Sequence, residues 1–445
     1  MGVIVNNEKM LDLVDAGVQA ERVATGFMFV EGPIWHPDGY LLFSDIPASV
    51  RRRWTQDGEV VEVLRPTNKG NGMTLDAERN LVVCEHTTSQ VIRAKLNPDG
   101  TEASREVIAS HYDGKQLNSP NDVVVALDGS VYFTDPLYGR WPVVGEVREP
   151  ELDVRGVYRV PPGGGEPQLV VDDFDQPNGL CFSPDEQYLY VNDSGRHLIR
   201  RFSVNPDGTL SGGEVLIADI GSPEDFDAGV CDGMKCDELG NIWVTGPGGI
   251  WAVSPEGEHL GTVEVPEHTS NLNWGGPGWN VLHVCASSSV YRIRCKVRGN
   301  HVSYMPERDG SELETVTDGD ALLERGNAIA GSMMGYDTVE ARWRNATDLN
   351  YDFDVWVTRN VFGDIWARDG LTRKMRSLVT MAMLIALGRQ EELKAHIRGG
   401  LANGVTRDEI AELLIHAAAY CGVPAAVSSM QSARAVLESE GGEGR

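Results

Sequence analysis

Basic residues are scarce in this chain of 445 residues, in which 39 Lys and Arg stand against 66 Asp and Glu to give a net charge of −27. A surface of that sign repels phosphate backbones, so we expect no nucleic-acid partner. The run Arg51-Arg52-Arg53 is too short to reverse this expectation, and we interpret it as a solvated loop face.

Long apolar runs are also missing. No stretch approaches about 18 consecutive apolar residues, so we expect no membrane partner. Residues 1–26 do not combine a basic start with an apolar stretch, so no signal peptide is predicted. The seven cysteines are odd in number and scattered, which argues against a disulfide framework. We therefore expect a cytoplasmic protein with reduced, mostly buried thiols.

Glycine is abundant, with 50 residues that suit many tight turns. One pattern recurs along the first part of the chain: a turn rich in Pro, Asp or Gly, then a β-rich strand, then a polar end. The six copies are HPDGYLLFSD from His36, DAERNLVVCE from Asp76, ALDGSVYFTD from Ala126, SPDEQYLYVND from Ser183, DELGNIWVTG from Asp237 and GPGWNVLHVC from Gly276. Repeats spaced roughly 40 to 60 residues apart are typical of a propeller. We predict a six-bladed β-propeller, with a β-sandwich as the alternative.

The pattern changes after the last repeat. Residues 1–305 are predicted to form the propeller, the acidic residues 306–320 a linker, and residues 321–445 a helical domain. The fold class is thus multidomain β + α, a six-bladed β-propeller followed by an all-α helical domain.

Local signals within the last part predict individual helices. The segment RSLVTMAMLIALG is nearly all apolar, so we expect a buried helix that ends at Gly388. Thr406 and Glu409 form a capping box that predicts a helix over about 407–421. Pro424 begins a further helical run.

Four short polar motifs come just before copies of the repeat, and we expect them in equivalent loops. They are Glu31-Gly32-Pro33, Ser119-Pro120-Asn121-Asp122, Gln176-Pro177-Asn178-Gly179 and Cys231-Asp232-Gly233-Met234. A propeller brings such loops to one central opening, where two carboxylates and two amides would form the oxygen-rich set that Ca²⁺ or Mg²⁺ prefers. Taken singly, each motif is more typical of a turn, and Glu31 alone of a surface carboxylate.

Residues from about Phe27 to Val297 resemble the gluconolactonase / senescence-marker-protein (regucalcin) family. The motifs that carry this resemblance are EGPIWHPDG, GNGMTLDAERNLVVCEH, LNSPNDVVVALDGSVYFTDP, QPNGLCFSPD and CDGMKCDELGNIWV. The resemblance implies a six-bladed propeller with one central divalent metal, for which Ca²⁺ is the first choice and Mg²⁺, Mn²⁺ and Zn²⁺ are alternatives. It implies these site residues: metal ligands Glu31, Asn121, Asn178 and Asp232, with Asp232 also the candidate general base, and substrate-binding residues Asn121, His86 and Asn71. His86 has the alternative of a buried structural histidine.

Residues from about Asp318 to Ala435 resemble the carboxymuconolactone decarboxylase/alkylhydroperoxidase-D-like family. The carrying stretch runs from FGDIWARDGLTRKMRS to AAAYCGVPAA. The peroxidase branch has a CxxC motif before a histidine, but the residues before His396 include RQEE and no cysteine, so thiol-peroxidase chemistry is not expected. Asp369 replaces the proline of the decarboxylase pattern, which puts substrate contacts near Arg368 in question.

Cofactor-free decarboxylation needs a cation for the carboxylates and an acid for the carbon left behind. The candidates are Glu392 and His396 at helical spacing, Arg376 and Arg398 as carboxylate holders, and the set Glu412, His416 and Tyr420 on the next helix. His396 and His416 are the candidate acids, Glu392 orients His396, and Tyr420 is a substrate contact. The alternatives are a surface pair for Glu392–His396, a subunit contact for His416 and Tyr420, and a structural role for Arg376.

Three hypotheses follow. In the first, a carboxymuconolactone-type decarboxylase makes a lactone that the metal-dependent propeller hydrolyses. In the second, the propeller hydrolyses a sugar lactone and the helical domain serves only for oligomerisation; by resemblance, that domain is expected to form a homo-oligomer. The third is a non-enzymatic calcium-binding propeller.

Overall fold

The structure is a computed structural model that describes residues 2–222, 228–305, 321–347, 349–368 and 370–440. The chain divides into two compact units, Met1–Thr315 and Val316–Arg445. The predicted linker, 306–320, lies outside the described residues, as does Asp369.

The first unit is built almost entirely from short antiparallel strands. Their bounds are β1 Val3–Val5, β2 Glu21–Thr25, β3 Val30–His36, β4 Tyr40–Asp45, β5 Val50–Thr55, β6 Val60–Leu64, β7 Gly70–Leu75, β8 Leu81–Glu85, β9 Gln90–Leu96, β10 Glu102–Ala109, β11 His111–Tyr112, β12 Lys115–Gln116, β13 Val123–Val125, β14 Val131–Asp135, β15 Gly156–Val160, β16 Gln168–Val171, β17 Pro177–Phe182, β18 Tyr188–Asp193, β19 Leu198–Val204, β20 Leu210–Ile217, β21 Met234–Cys236, β22 Ile242–Gly246, β23 Gly249–Val253, β24 His259–Glu264, β25 Thr269–Gly275, β26 Val281–Ala286 and β27 Ser289–Arg294. A short helix, α1, spans Met10–Leu13, and a single 3₁₀ turn spans Tyr138–Arg140.

These strands form the six blades of a propeller, as the repeats predicted. The blades are β3–β6, β7–β10, β13–β16, β17–β20, β21–β24 and β25–β27 with β2. In the last blade β2 supplies the outermost strand by pairing with β27, so a strand from the beginning of the chain completes the sheet at the end and closes the ring. Strand β1 extends the fifth blade on its outer edge.

The six repeat copies coincide with the second strand of each blade, namely β4, β8, β14, β18, β22 and β26. In three blades the aspartate at the end of this strand holds the segment before the innermost strand. Asp45 accepts hydrogen bonds from the backbone of residues 28 and 29, Asp135 from residues 118 and 119, and Asp193 from residues 175 and 176. In each case the carboxylate fixes the segment that leads into the first strand of its own blade.

The basic run 51–53 is not the solvated loop face that we expected. It lies in strand β5, and the Arg51 side chain is buried against Glu102 of the next blade at 2.7 Å. Successive side chains of a strand point to opposite faces, and Arg51 points inward. There the carboxylate of Glu102 compensates its charge. The pair links the first and second blades.

Because Arg51 is buried, we expect Glu102→Ala to lower the free energy of unfolding by about 3–5 kcal/mol by leaving the guanidinium without its carboxylate. Chemical denaturation followed by tryptophan fluorescence measures this. Glu62→Ala is the matched control, because Glu62 pairs with Arg65 on the surface, and its loss should cost less than about 1 kcal/mol. Equal losses in the two variants would contradict the account.

A second stability prediction concerns His283 on β26, whose ring stacks on Trp35 with 5.0 Å between centroids. Burial, with a smaller contribution from Arg292, lowers the pKa of His283 to about 3. The folded protein therefore keeps this imidazole neutral, while the unfolded chain takes up a proton below about pH 6.5. Stability from this group is present above pH 6.5 and is lost as the pH falls towards 3.

Replacing His283 by Phe keeps an aromatic ring against Trp35 and removes the titrating group. We expect the loss of unfolding free energy between pH 7 and pH 5 to become smaller by about 2 kcal/mol. Denaturation at both pH values measures the difference, and an unchanged pH dependence in the variant would be the contrary result.

All seven cysteines lie among the described residues, and each is a free thiol. Six are buried and Cys421 is exposed, which confirms the expectation of mostly buried thiols without disulfides. No helix in the described part of the chain is long and apolar enough to cross a membrane.

The second unit is helical. Its elements are α2 Ala321–Met334, α3 Tyr336–Arg344, α4 Tyr351–Trp356, a π-helix Val357–Ile365, α5 Arg373–Leu387, α6 Gln390–Ala402, α7 Arg407–Cys421 and α8 Val423–Glu440. Helix α7 begins with the predicted capping box, in which Thr406 and Glu409 each accept a backbone N–H of the other. Helix α5 ends as predicted at Gly388, whose φ of 69° lies in the left-handed region that glycine adopts without strain.

Helix α5 is only partly buried within this chain, so the expectation of a buried helix holds for one side of it and is wrong for the other. Met381 and Ile385 lie in the core of the unit. Met375, Val379, Met383 and Leu387, spaced four residues apart, are 49, 44, 59 and 72% exposed. This spacing places the four side chains along one side of the helix.

Candidate functional site at the propeller axis

The first residues of the innermost strands gather at one end of the propeller channel. This axial ring consists of Glu31, Asn71, Asn121, Asn178, Asp232 and Ser270, one from each blade. Asn121 and Asp232 lie two residues before their strands, and each of the others is the second residue of its strand. The predicted equivalent loops are therefore equivalent positions at the starts of the innermost strands. The ring thus contains all four predicted metal ligands and Asn71.

Hydrogen bonds between neighbouring blades hold this ring together at every junction. They are Ser44 Oγ to Asn71 O (3.1 Å), Gly72 N to Asn121 O (2.9 Å), Thr134 Oγ1 to Asn178 O (2.8 Å), Gly179 N to Asp232 O (3.1 Å), Gly233 N to Ser270 O (2.8 Å) and Ser270 Oγ to Val30 O (2.6 Å). The backbone at the axis is therefore fixed by contacts that do not use the ring's carboxylates or side-chain amides.

The ring's amides form a relay. Asn71 Nδ2 donates to Asn121 Oδ1 at 2.6 Å, Asn121 Nδ2 donates to Asn178 Oδ1 at 2.5 Å, and the Asn178 side chain bonds the Asp232 carboxylate. Asn71 Oδ1 is buried and has no hydrogen-bond partner. The relay links amide and carboxylate side chains of successive blades by hydrogen bonds.

His86 lies behind Asn71 and Asn121 and is buried. Its Nδ1 lies 2.9 Å from the Val144 carbonyl, which only a donor can satisfy, so Nε2 accepts from Asn71 Nδ2 at 3.1 Å. Burial lowers the pKa of His86, which keeps the ring neutral and compatible with that arrangement. Both ring nitrogens engage protein atoms, so the geometry favours positioning of Asn71 over direct contact with substrate.

Val144 belongs to the segment 136–155, which connects β14 to β15 beside the ring. Lys69 Nζ donates to the carbonyls of Val143 and Gly145, so two side chains near the ring hold this segment by its backbone. Tyr138, at the start of the segment, bonds Ser194, whose hydroxyl donates to the Cys231 carbonyl beside Asp232. The segment is thereby tied to both sides of the site.

Two of the ring's side chains are carboxylates in a confined place. Burial, followed by the charge of Asp122, raises the pKa of Glu31, although Asn271 Nδ2 donates to Glu31 Oε2 at 2.8 Å. Burial, followed by the charges of Glu31 and Asp122, raises the pKa of Asp232 well above its usual range. Burial and the charge of Asp122 thus disfavour the ionised form of both carboxylates, and a bound cation would stabilise that form.

The residues present fit a hard divalent cation. They offer two carboxylates, several amide oxygens and the unpartnered Asn71 Oδ1, and all of these donors are oxygen atoms. Among the described residues, no three His, Cys, Asp or Glu side chains are grouped to hold a metal by themselves. A cation at this ring would therefore need asparagine oxygens as well as Glu31 and Asp232.

Three residues of the site were missed by the sequence reasoning. Asp122 and Asn271 follow ring positions, and Lys235 lies three residues after Asp232. Asp122 was inside a quoted motif, and Asn271 lies on the sixth innermost strand, so alignment of all six strand starts would have found both. Lys235 carries no such signal, because its role depends on a contact between different blades.

In the helical unit, the structure places the predicted residues on separate surfaces. His396 on α6 is half-buried with its ring 6.3 Å from that of Trp366, and burial lowers its pKa. Glu392 is exposed, and the described contacts do not bring its carboxylate to His396, since His396 turns inward and Glu392 outward. The proposed orientation of His396 by Glu392 is therefore not seen.

His416 on α7 is exposed and contacts Tyr420, whose side chain is 80% exposed, at 4.7 Å between ring centroids. Helix α6 packs on α2, α5 and α8, whereas α7 packs on α5 and α8.

Arg376 Nη2 donates to the Arg368 carbonyl at 2.7 Å, which supports the structural alternative for this residue, and Arg398 is exposed. Within one chain, then, His396 is the half-buried candidate and the α7 pair faces outward with Glu412.

Comparisons with known proteins agree with this architecture. The family model described as SMP-30/Gluconolactonase/LRE-like region matches residues 29–288, and the Carboxymuconolactone decarboxylase family matches residues 352–435. A gluconolactonase of Zymomonas mobilis is 35% identical over 67% of this chain and 88% of its own length. A 4-carboxymuconolactone decarboxylase of Acinetobacter baylyi is 40% identical over 26% of this chain and 88% of its own length.

The solved structure of a gluconolactonase from Xanthomonas campestris is 30% identical with a TM-score of 0.60, and the match covers 66% of this chain and 95% of that one. Both suspected resemblances are therefore confirmed. The chain belongs to the SMP-30/gluconolactonase/LRE-like family through its propeller and to the carboxymuconolactone decarboxylase family through its helical unit.

Proposed function

We propose that the propeller hydrolyses lactones with one divalent cation, Ca²⁺ being the first choice, held by Glu31, Asn121, Asn178 and Asp232. The observation that carries this proposal is the convergence of these four side chains in one ring, where burial raises the pKa of both carboxylates and the charge of Glu31 raises that of Asp232 further. The kinship with gluconolactonases supports a lactone as the substrate.

When bound, the cation supplies Lewis acidity for the lactone carbonyl and for water. Asp232 is the ring carboxylate whose residue is only partly buried, and its carboxylate would take the proton of the attacking water. The water oxygen adds to the carbonyl carbon, the ring C–O bond breaks, and the leaving oxygen takes the proton back. Asn178 orients Asp232, and neutral His86 positions Asn71. Asn178 and His86 thereby hold the polar side chains of the site in place.

For the helical unit we propose cofactor-free decarboxylation of a lactone that bears a carboxylate, supported by its likeness to 4-carboxymuconolactone decarboxylase. Arg398, the predicted carboxylate holder that no structural contact like that of Arg376 engages among the described residues, would hold the substrate carboxylate; the bond to the departing CO₂ breaks, and its electron pair remains on carbon. His396 protonates that carbon. The product is itself a lactone, so the two units would act in succession.

A second candidate function is hydrolysis of a sugar lactone by the propeller alone, with the helical unit serving only to join copies of the chain. The exposed apolar row Met375, Val379, Met383 and Leu387 on α5 favours it, because such a row is usually covered in an assembly. In this version, His416 and Tyr420 would lie at the contact between copies.

The two functions differ in one assay. Purified full-length protein is incubated with 4-carboxymuconolactone while CO₂ and acid release are followed, and in parallel with glucono-1,5-lactone. Release of CO₂ followed by ring opening supports the bifunctional enzyme. Hydrolysis of the sugar lactone without any CO₂ release would support the second function and reject the first.

A further inference from the structure

A second layer of residues lies next to the axial ring. These follow the ring residues in sequence and are Gly32, Gly72, Asp122, Gly179, Gly233 and Asn271. A Cβ atom on Gly72 would lie 2.4 Å from Asp122 Oδ1, and one on Gly233 would lie 2.1 Å from Asn271 Oδ1. Glycine at these two positions makes room for the only two side chains of the layer.

One of these side chains belongs to a buried ion pair. Lys235 Nζ on β21 lies 3.7 Å from Asp122 Oδ2, and the two side chains are 15% and 2% exposed. Asp122 Oδ1 accepts the backbone N–H of Val123, whereas Oδ2 has no hydrogen bond within 3.5 Å. Lys235 also donates to the Met234 carbonyl at 3.0 Å, which fixes its ammonium group near the fifth blade. The lysine is thus the cation that faces Asp122 inside the channel.

This pair lies within electrostatic reach of the ring. The charge of Asp122 raises the pKa of both Glu31 and Asp232, and the charge of Lys235 lowers the pKa of Glu31. Three carboxylates and one ammonium sum to a charge of −2 when all are ionised. That charge matches one divalent cation, whereas without the lysine the same volume would hold −3.

We propose that Lys235 is a built-in counter-ion that cancels the charge of Asp122 and thereby sets the affinity of the axial ring for a single divalent cation. This inference rests on the metal site of the proposed function. Removal of the ammonium group takes away a positive charge that repels the bound cation, and it also leaves Asp122 buried without its counter-ion. Cation binding should therefore become tighter while the cation-free protein becomes less stable. A lysine with only a structural role would weaken both properties when removed.

The test uses full-length protein that has been stripped with a chelator and titrated with Ca²⁺ or Mn²⁺ by calorimetry, with thermal melts of the stripped protein. For Lys235→Met we expect the Kd to fall at least about tenfold and the Tm of the stripped protein to decrease. For Asp122→Asn we expect the Kd to rise at least about tenfold, because the lysine is then unopposed. The double variant should return close to the original Kd, and Lys235→Arg should retain it.

Each outcome decides the inference. A cooperatively melting Lys235→Met protein with an unchanged or higher Kd overturns it. If Lys235→Met does not yield folded protein, Asp122→Asn decides instead, and an unchanged Kd in that variant overturns the inference. If the unsubstituted protein binds neither cation, the proposed metal site fails as well, so the two failures are distinguishable.

Discussion

Asp232→Asn is expected to lower kcat/KM for lactone hydrolysis by at least about 10²-fold, and by up to about 10⁴-fold. The substitution keeps the size of the side chain but removes the charge that both holds a cation and accepts the proton of water. Steady-state hydrolysis of the best lactone, followed by acid release at saturating Ca²⁺, measures the effect. The loss should not be recovered by adding more cation, because an amide does not act as the base.

Asp237→Asn is the matched control, since Asp237 is also a buried carboxylate of the fifth blade but bonds Trp243 and Asn241 away from the ring. We expect this variant to lose stability and to retain kcat/KM per folded molecule. If Asp232→Asn kept full activity, or if both variants lost activity alike, the assignment of Asp232 would be wrong. An Asp232 variant that binds metal but does not hydrolyse lactone would also reject a purely calcium-binding role for the propeller.

His396→Gln is expected to reduce the rate of decarboxylation by about 10²–10⁴-fold while leaving lactone hydrolysis unchanged. Glutamine retains a polar side chain at the half-buried position beside Trp366 but cannot take up and donate a proton as an imidazole can. CO₂ release from 4-carboxymuconolactone and hydrolysis of a lactone by the same preparation measure the two activities separately. Parallel loss of both activities would indicate damage to the fold or a shared site.

Glu391→Gln is the control for this helix, because Glu391 is exposed and pairs only with Lys394 at 2.7 Å among the described contacts. It should leave both activities intact. Glu392→Gln is informative as well: since the structure does not bring Glu392 to His396, we expect a much smaller loss than for His396→Gln. A loss of equal size would restore the orienting role that the sequence suggested for Glu392.

The fold was predictable because the same short sequence pattern recurs in every blade. Each blade carries its own turn and its own β-rich second strand, so six weak signals became one strong one. The ends of α5 and α7 were predictable for a similar reason, because Gly388 and the box of Thr406 and Glu409 act through contacts within a few residues. Such features do not depend on the rest of the chain.

Features that depend on partners distant in sequence were not predictable. The position of Arg51 was misjudged because its carboxylate, Glu102, belongs to another blade. Lys235 and Asp122 are 113 residues apart in the sequence (235 − 122), so they come into contact only once the propeller has folded. The apolar sequence of α5 indicated that its side chains should be buried. It did not indicate that the described part of the chain leaves one side of the helix exposed.

The most direct test of the central claim is lactone hydrolysis by full-length protein stripped of metal and resupplied with Ca²⁺, Mg²⁺, Mn²⁺ or Zn²⁺. The panel contains sugar lactones, simple γ- and δ-lactones and muconolactone-type compounds. The account predicts turnover of at least one lactone that disappears on chelation, returns with a divalent cation and is lost in Asp232→Asn. Hydrolysis that is indifferent to chelation, or no hydrolysis of any lactone with any of the four cations, would contradict it.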